Sequence, residues 1–366
     1  MLRVAIIDAD LIGRKRHRFP NLACMKLSGY WKDQGADVVL KTDFSDLAEF
    51  DRVFLSKVFT DTPVPDEVLS LPNVQYGGTG FFYDKATPLP NEVEHHMPDY
   101  HLYDLWVERQ LSAGGKARDF IYYTDYSIGF LTRGCFRKCS FCVNQNYDRV
   151  FAHSPLSEFF DSERPKICLL DDNFLGHPNW KGFLTDLQQT QRPFQFKQGL
   201  DERLLTDEKC ATLFSSRYDG DYIFAFDDVA DAALIEQKLR LARKYTNAVL
   251  KFYCFCGYDR AGVWDADFWK RDIFELLFRI EILMHYRCLP YVMRYARYSE
   301  SPYRGMYITL ARWCNQPGFF KKKSLWEFAE NNGRNSACFR YVDEFAAQFP
   351  EALPFCNLKF GAEQVR

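Results

Sequence analysis

Three cysteines within eight residues are the first chemistry visible in this chain. They are Cys135, Cys139 and Cys142, in the stretch Thr132-Arg133-Gly134-Cys135-Phe136-Arg137-Lys138-Cys139-Ser140-Phe141-Cys142. Thiolate sulfur is a soft ligand that suits iron–sulfur clusters and zinc. At C-x-x-x-C-x-x-C spacing, three sulfurs reach three corners of one cubane only if the segment is a tight loop, and Gly134 permits the turn. A structural zinc or an electron-transfer cluster is normally closed by four protein ligands. Three ligands leave one metal open to something else. The same residues also read as a zinc knuckle completed from a distance, or as unrelated thiols. His153, the nearest downstream histidine, lies eleven residues from Cys142 and fits no compact zinc pattern.

The spacing, the aromatic Phe141 directly before the third cysteine and the apolar run Tyr126–Leu131 ahead of the loop resemble the signature of the radical S-adenosylmethionine (radical SAM) enzymes. That resemblance implies a 4Fe–4S cluster on Cys135, Cys139 and Cys142, with the fourth iron chelated by the amino and carboxylate groups of S-adenosylmethionine. It implies that one electron from the cluster cleaves this cofactor to methionine and a 5′-deoxyadenosyl radical, which takes hydrogen from a substrate. A small-molecule or peptide substrate and a reductant such as flavodoxin or ferredoxin follow from the same resemblance.

The loop needs elements to position it, and the chain has room for them. Its 366 residues allow two domains with sizeable cores. A net charge of −2 gives no general electrostatic footprint for nucleic acid. Twelve cysteines without an even framework do not suggest a secreted disulfide scaffold, and those outside the loop sit in apolar runs where buried free thiols are common. Asp8 and Asp10 interrupt the apolar start too early for a signal peptide, and no run reaches membrane-spanning length. A reduced, cytoplasmic protein is the expectation.

Residues 1–82 read as a doubly wound, Rossmann-like domain, with strands at 3–8, 36–40, 52–56 and 74–76 alternating with helices. Gly77-Gly78-Thr79-Gly80 after the last strand is either a turn or a place where a ligand approaches the backbone. This part resembles the cobalamin-binding-like domain found ahead of the barrel in one class of radical SAM enzymes, through Phe19-Pro20-Asn21-Leu22, Ser56 and Gly77-Gly78. The Asp-x-His-x-x-Gly motif that supplies cobalt with a histidine is missing. Any cobalamin would bind without it, and a degenerate scaffold is the other reading. Residues 83–125 read as a connector, in which His95 and His96 are expected to be solvated loop histidines.

Residues 126–300 resemble the radical SAM partial (β/α)6 barrel, with six strand patterns beginning at 126, 167, 194, 222, 249 and 288. Ligands collect at the carboxyl ends of parallel strands. The resemblance therefore places the cofactor's ammonium group at Asp171, Asp172 and Asn173, its adenine by Phe141, its carboxylate at Arg203 near Gln198, and its ribose at Asp227 and Asp228. Asp and Asn also cap helices, and Arg203 also reads as a surface salt bridge. Cys254 and Cys256 fall on one face of the fifth strand, as structural thiols, ligands of a second cluster or a hydrogen-atom donor. Residues 301–366 read as a helical tail.

The expectation is a radical SAM enzyme whose later chemistry, catalytic residues and substrate the sequence leaves open, with cobalamin-type methyl transfer among the candidates. The reading from another class is a non-catalytic iron–sulfur or zinc protein whose Rossmann-like domain binds a ligand or partner.

Overall fold

The computed structural model describes residues 1–15 and 17–361. The chain divides into two compact units, one of residues 1–197 and one from Gln198 onward.

The first unit opens with four strands, β1 (Arg3–Asp8), β2 (Asp37–Lys41), β3 (Arg52–Ser56) and β4 (Val74–Gly77), in the order β2-β1-β3-β4 and all parallel. Alternation along β1 splits its buried side chains between two cores. Val4 and Ile6 pack with Cys24, Met25 and Leu27 of the helix Leu22–Asp33, whereas Ala5 and Ile7 pack with Leu47, Val53, Leu55 and Val68. A central parallel strand covered on both faces has to be apolar throughout, as Val4 to Ile7 are. The helix begins where Asn21 accepts the Cys24 N–H through its side chain at 3.3 Å, capping an otherwise orphaned donor.

Residues 83–125, expected as a connector, are packed into the first of these cores. They contribute Val93, Tyr100, Leu102, Tyr103, Val107, Phe120 and Tyr123. His95 and His96 are partly exposed, and each faces a carboxylate: His95 Nδ1 is 2.7 Å from Glu158, and His96 Nε2 is 3.1 Å from Asp33. The glycine cluster after β4 serves the chain's own backbone. Gly78 has φ +103, and a Cβ there would lie 2.3 Å from the Lys57 carbonyl oxygen, to which Gly80 N–H donates at 2.9 Å.

Six further parallel strands stand where the sequence expects them. β5 (Tyr126–Gly129), β8 (Lys166–Leu169) and β9 (Phe194–Phe196) form one sheet in the order β5-β8-β9, with the short antiparallel pair β6 (Thr132–Arg133) and β7 (Phe151–Ala152) beside it in sequence. In the second unit, β10 (Tyr222–Ala225), β11 (Leu250–Cys256) and β12 (Leu289–Arg294) form another. Cys254 and Cys256 are both buried on the same face of β11, and burial pushes the Cys254 thiol up to about 12. Such a thiol stays protonated at neutral pH and packs as a small hydrophobe. The helix Ala266–His285 follows β11, and the chain after β12 is helical, with Ser324 and Glu327 forming a reciprocal cap at the helix Leu325–Asn331.

Candidate functional site

The three cysteines lie on a loop that is pinched shut at its base. β6 pairs with β7 through Thr132↔Ala152 and Arg133↔Phe151, so residues 134–150 leave and return at one point. Gly134 turns the chain into the loop at φ +88, with its α-carbon facing the Arg149 carbonyl so closely that a Cβ would lie 2.5 Å from that oxygen. Inside the loop, Lys138 Nζ holds the Gln145 carbonyl at 2.7 Å and Asp148 at 2.6 Å, and Gln145 donates to the Ser140 carbonyl at 2.7 Å. Residues of the segment 83–125 grip it from outside: Tyr83 OH donates to the Phe141 carbonyl at 2.8 Å, and Asn146 to the Asp84 carbonyl at 2.9 Å.

The sulfurs are half-buried and receive hydrogen bonds. Arg137 N–H and the Asn173 amide both donate to Cys135 Sγ at 3.4 Å, and Asn144 N–H donates to Cys142 Sγ at 3.4 Å. Donors aimed at sulfur favour the thiolate, the form that ligates metal, and tune the potential of an iron–sulfur cluster. Without a metal, burial raises the Cys142 thiol, against the Asn144 donor. Among the described residues, no group of three or more His, Cys, Asp or Glu side chains is gathered for one ion. Tetrahedral zinc at Zn–S about 2.3 Å would need sulfurs within roughly 4 Å of one another. A 4Fe–4S cubane takes one thiolate per iron, so three cysteines on one loop closed at its base match three of its corners.

Asp171, Asp172 and Asn173, the group expected to receive the cofactor ammonium, directly follow Leu170 at the end of β8, but their side chains turn to the cysteine loop. Asp171 is buried and accepts three bonds, from Leu131 N–H at 3.2 Å and from the N–H and Oγ1 of Thr132 at 2.6 Å each. Burial pushes its carboxyl up to about 7, against those donors. Asp172 Oδ2 accepts from Gly134 N–H at 2.7 Å and Oδ1 from the Asn144 amide at 2.8 Å. A carboxylate has about four acceptor positions, and Asp171 uses three of them on its own chain. The strand-end position is as expected, and Asp172 keeps acceptor positions beyond its two loop contacts.

The remaining expected residues belong to the second unit, apart from Phe141, which is half-buried on the loop. Gln198 is exposed. Arg203 donates to Asp201 at 2.8 Å through Nε and to Asp231 at 2.7 Å through Nη1; burial opposes its charge, but Asp201, Glu202 and Asp231 outweigh that and hold it charged. Asp227, one residue past Phe226 at the end of β10, is raised by burial and accepts from Phe255 N–H at 2.8 Å. Asp228 accepts from Ala230 N–H at 2.9 Å and from Arg260 at 2.5 Å.

Two residues here escaped the sequence reading. Arg279, only 2% exposed, donates through Nη1 to the carbonyls of Phe226 at 2.7 Å and Phe255 at 3.0 Å. Its signal was a lone cation inside the apolar run Phe274–Met284, which shows only that the run does not span a membrane. Glu202 is buried, and burial followed by Asp201 pushes its carboxyl up to about 8. Within Asp201-Glu202-Arg203 nothing in residue type marks the middle carboxylate as the buried one.

Glu202 has a measurable consequence. Its folded form holds a proton that the unfolded form has released from about pH 4.5 upward, so stability falls as pH rises from there to about 8. The loss over that span is on the order of 5 kcal/mol. Urea titrations between pH 5 and pH 8.5 should show a shallower pH slope for Glu202→Gln than for the unaltered chain; equal slopes would refute the assignment.

No protein-family model matches the chain, and no curated protein matches it. Among solved structures, TsrM from Kitasatospora setae, a radical S-adenosylmethionine methyltransferase with cobalamin and a [4Fe-4S] cluster bound, superposes with a TM-score of 0.51 at 12% identity, over 80% of this chain and 75% of that one. The chain has the fold of TsrM. A second TsrM structure, with tryptophan substrate and the SAM analogue aza-SAM, matches at a TM-score of 0.48 and 13% identity, over 76% and 71% of the two chains. At such identity the TsrM likeness concerns backbone layout. Side-chain roles have to come from the loop and strand ends described above, and no helix among the described residues is long and apolar enough to cross a membrane.

Proposed function

We propose that this chain is a radical SAM enzyme, with a 4Fe–4S cluster on Cys135, Cys139 and Cys142 and S-adenosylmethionine at the cluster's open iron. The observation that carries the reading is the loop itself: three thiols on a segment closed at its base by β6 and β7, two of them served by N–H donors, in a chain with the TsrM fold. When bound and reduced, the cluster supplies the electron that splits the sulfonium into methionine and a 5′-deoxyadenosyl radical. The protein's task is orientation and exclusion of water.

In this reading the two three-stranded sheets are halves of one partial (β/α)6 barrel, the third of four regions bounded as in the sequence: 1–82, 83–125, 126–300 and 301–366. Phe141 lies by the adenine. Arg203, Asp227, Asp228 and Gln198, near the carboxyl ends of β9 and β10, hold the carboxylate and ribose. Asp171, Asp172 and Asn173 receive the ammonium, Asp172 with acceptor positions beyond the two it gives to the loop. Val58, Phe59, Tyr76, Phe82 and Tyr83, in β4 or in the segments after β3 and β4, are exposed, and in this reading they cover one face of a large planar ring. Cobalamin is therefore the second cofactor of this reading, without a histidine from a strand–helix turn. His17 has a buried Nε2 that lies 3.9 Å from Asp8. Methyl transfer to a small molecule or peptide is the reaction class that joins these cofactors, with a flavodoxin- or ferredoxin-type protein as reductant and the cytoplasm as the compartment.

Anaerobic reconstitution tests it. About four irons per chain are expected, the content of one 4Fe–4S cluster. Dithionite and S-adenosylmethionine should then yield 5′-deoxyadenosine, or S-adenosylhomocysteine where the methyl group is transferred. The variant with serine at all three cysteines should bind no iron. Zinc uptake without iron would overturn the reading in favour of a non-catalytic metal protein. Co-purified cobalamin, read by its visible absorbance, decides the first domain's part.

A further inference from the structure

Asp172 connects the two ends of the cysteine segment. One oxygen takes the N–H of Gly134, the residue before Cys135; the other takes the amide of Asn144, two residues after Cys142. Asn144 in turn sends its own N–H to Cys142 Sγ. Arg133 stands 3.6 Å from the same carboxylate, with its guanidinium over the Phe130 ring. Next door, Asp171 holds the approach to the loop by Leu131 and Thr132, and Asn173 donates to Cys135 Sγ. Three consecutive residues following β8 thus reach the entry, the first sulfur and the exit of a loop that comes after β5.

We propose that Asp172 is the positioning residue of the metal loop, fixing the distance between Cys135 and Cys142 by bridging Gly134 and Asn144. This role acts through the loop and is separate from its contact with the ammonium. This rests on the cluster reading above. Separately from it, the bridge holds the loop whether or not metal is bound, since all its bonds are within the protein.

The donor and acceptor chemistry allows a test by exchange. In Asp172→Asn, one side-chain oxygen can still accept from Gly134, but the new amide faces the Asn144 amide, donor against donor. In Asn144→Asp, two carboxylates face each other. In the double variant D172N/N144D, the amide at 172 donates to the carboxylate at 144, and both contacts return with the charge nearly in place. Each single variant should lose iron to a chelator roughly 10-fold faster or more, with an altered electron paramagnetic resonance signal for the reduced protein and a near-normal unfolding midpoint. The double variant should recover to within about twofold of the unaltered protein. Single variants that hold iron normally, or a double variant no better than the worse single one, would overturn the proposal. Hydrogen exchange at the Gly134 amide provides a readout without metal: Asp172→Ala, which removes the acceptor, should speed it about tenfold, and an unchanged rate counts against the bridge. If the unaltered chain takes up no iron while this exchange still responds, the cluster reading fails and the bridge stands.

Discussion

Gly134→Ala should leave the chain folded and strip it of iron. The residue sits at φ +88, a region where an L side chain costs about 1–3 kcal/mol. Strain alone would be tolerable, but the added Cβ would also lie 2.5 Å from the Arg149 carbonyl oxygen and 3.0 Å from the Phe151 ring. Neither neighbour is free to yield, because Phe151 is paired with Arg133 in the β6–β7 bridge that closes the loop. The chain would relieve the clash by opening that bridge, and the loop would lose its common base. Gly114→Ala supplies the control: it has φ +92 and nothing within 4 Å of its added Cβ, so it carries strain without collision. We expect Gly114→Ala to reconstitute like the unaltered chain and Gly134→Ala to retain less than about a tenth of the iron, as loss of loop support on this scale implies. Circular dichroism checks that both are folded. Equal iron in the two variants would show that the loop does not depend on its closed base.

The strands and the loop were legible in the sequence for a simple reason. Val4 to Ile7, Ile167 to Leu170 and Leu250 to Cys256 are runs whose burial follows from period and length, and C-x-x-x-C-x-x-C is a local pattern. Side-chain partners were not legible. Asp171 and Asp172 were placed correctly at a strand end, yet a carboxylate there serves a ligand's ammonium or a neighbouring loop's N–H groups equally well. That loop N–H groups lie beside these carboxylates follows from the loop's return to β8, a long-range fact. The connector shows the same limit. Residues 83–125 read as a connector with loop histidines, while Tyr100, Tyr103 and Phe120, spaced without period, are core. Irregular segments bury rings without announcing it, because no helical or strand repeat orders them. Glu202 and Arg279 were hidden for the complementary reason: each is a charge whose burial is set by neighbours distant in sequence.

Arg279 yields the largest expected change in stability. Its guanidinium lies where β10 and β11 end, bonded to the carbonyls of Phe226, Phe255 and, through Nε at 3.2 Å, Glu275. Asp227 and Asp272 are raised by burial, and Arg279 is among the groups that pull both back down. Asp272 in turn accepts from Gly257 N–H at 2.8 Å and from Tyr307 OH at 2.6 Å, so Arg279 binds the ends of β10 and β11 to its own helix while Asp272 of that helix reaches Gly257 and Tyr307. Arg279→Met keeps the length of the stem and removes the charge and every donor. Carbonyls and carboxylates then remain buried without their partner, a loss on the order of 3–5 kcal/mol. The deficit should depend on pH with a definite sign. Without the cation, Asp227 and Asp272 hold their protons to higher pH in the folded state, while the unfolded state releases them near pH 4. The deficit therefore grows from pH 5 to pH 8. Arg279→Lys keeps a charge but has no planar fork to reach two carbonyls at once, and should fall between the two. Urea unfolding of the three proteins at both pH values measures this directly. A methionine variant within about 1 kcal/mol of the unaltered chain would mean that the apolar packing of Ala266–His285, rather than its buried cation, holds the strand ends that carry Asp227.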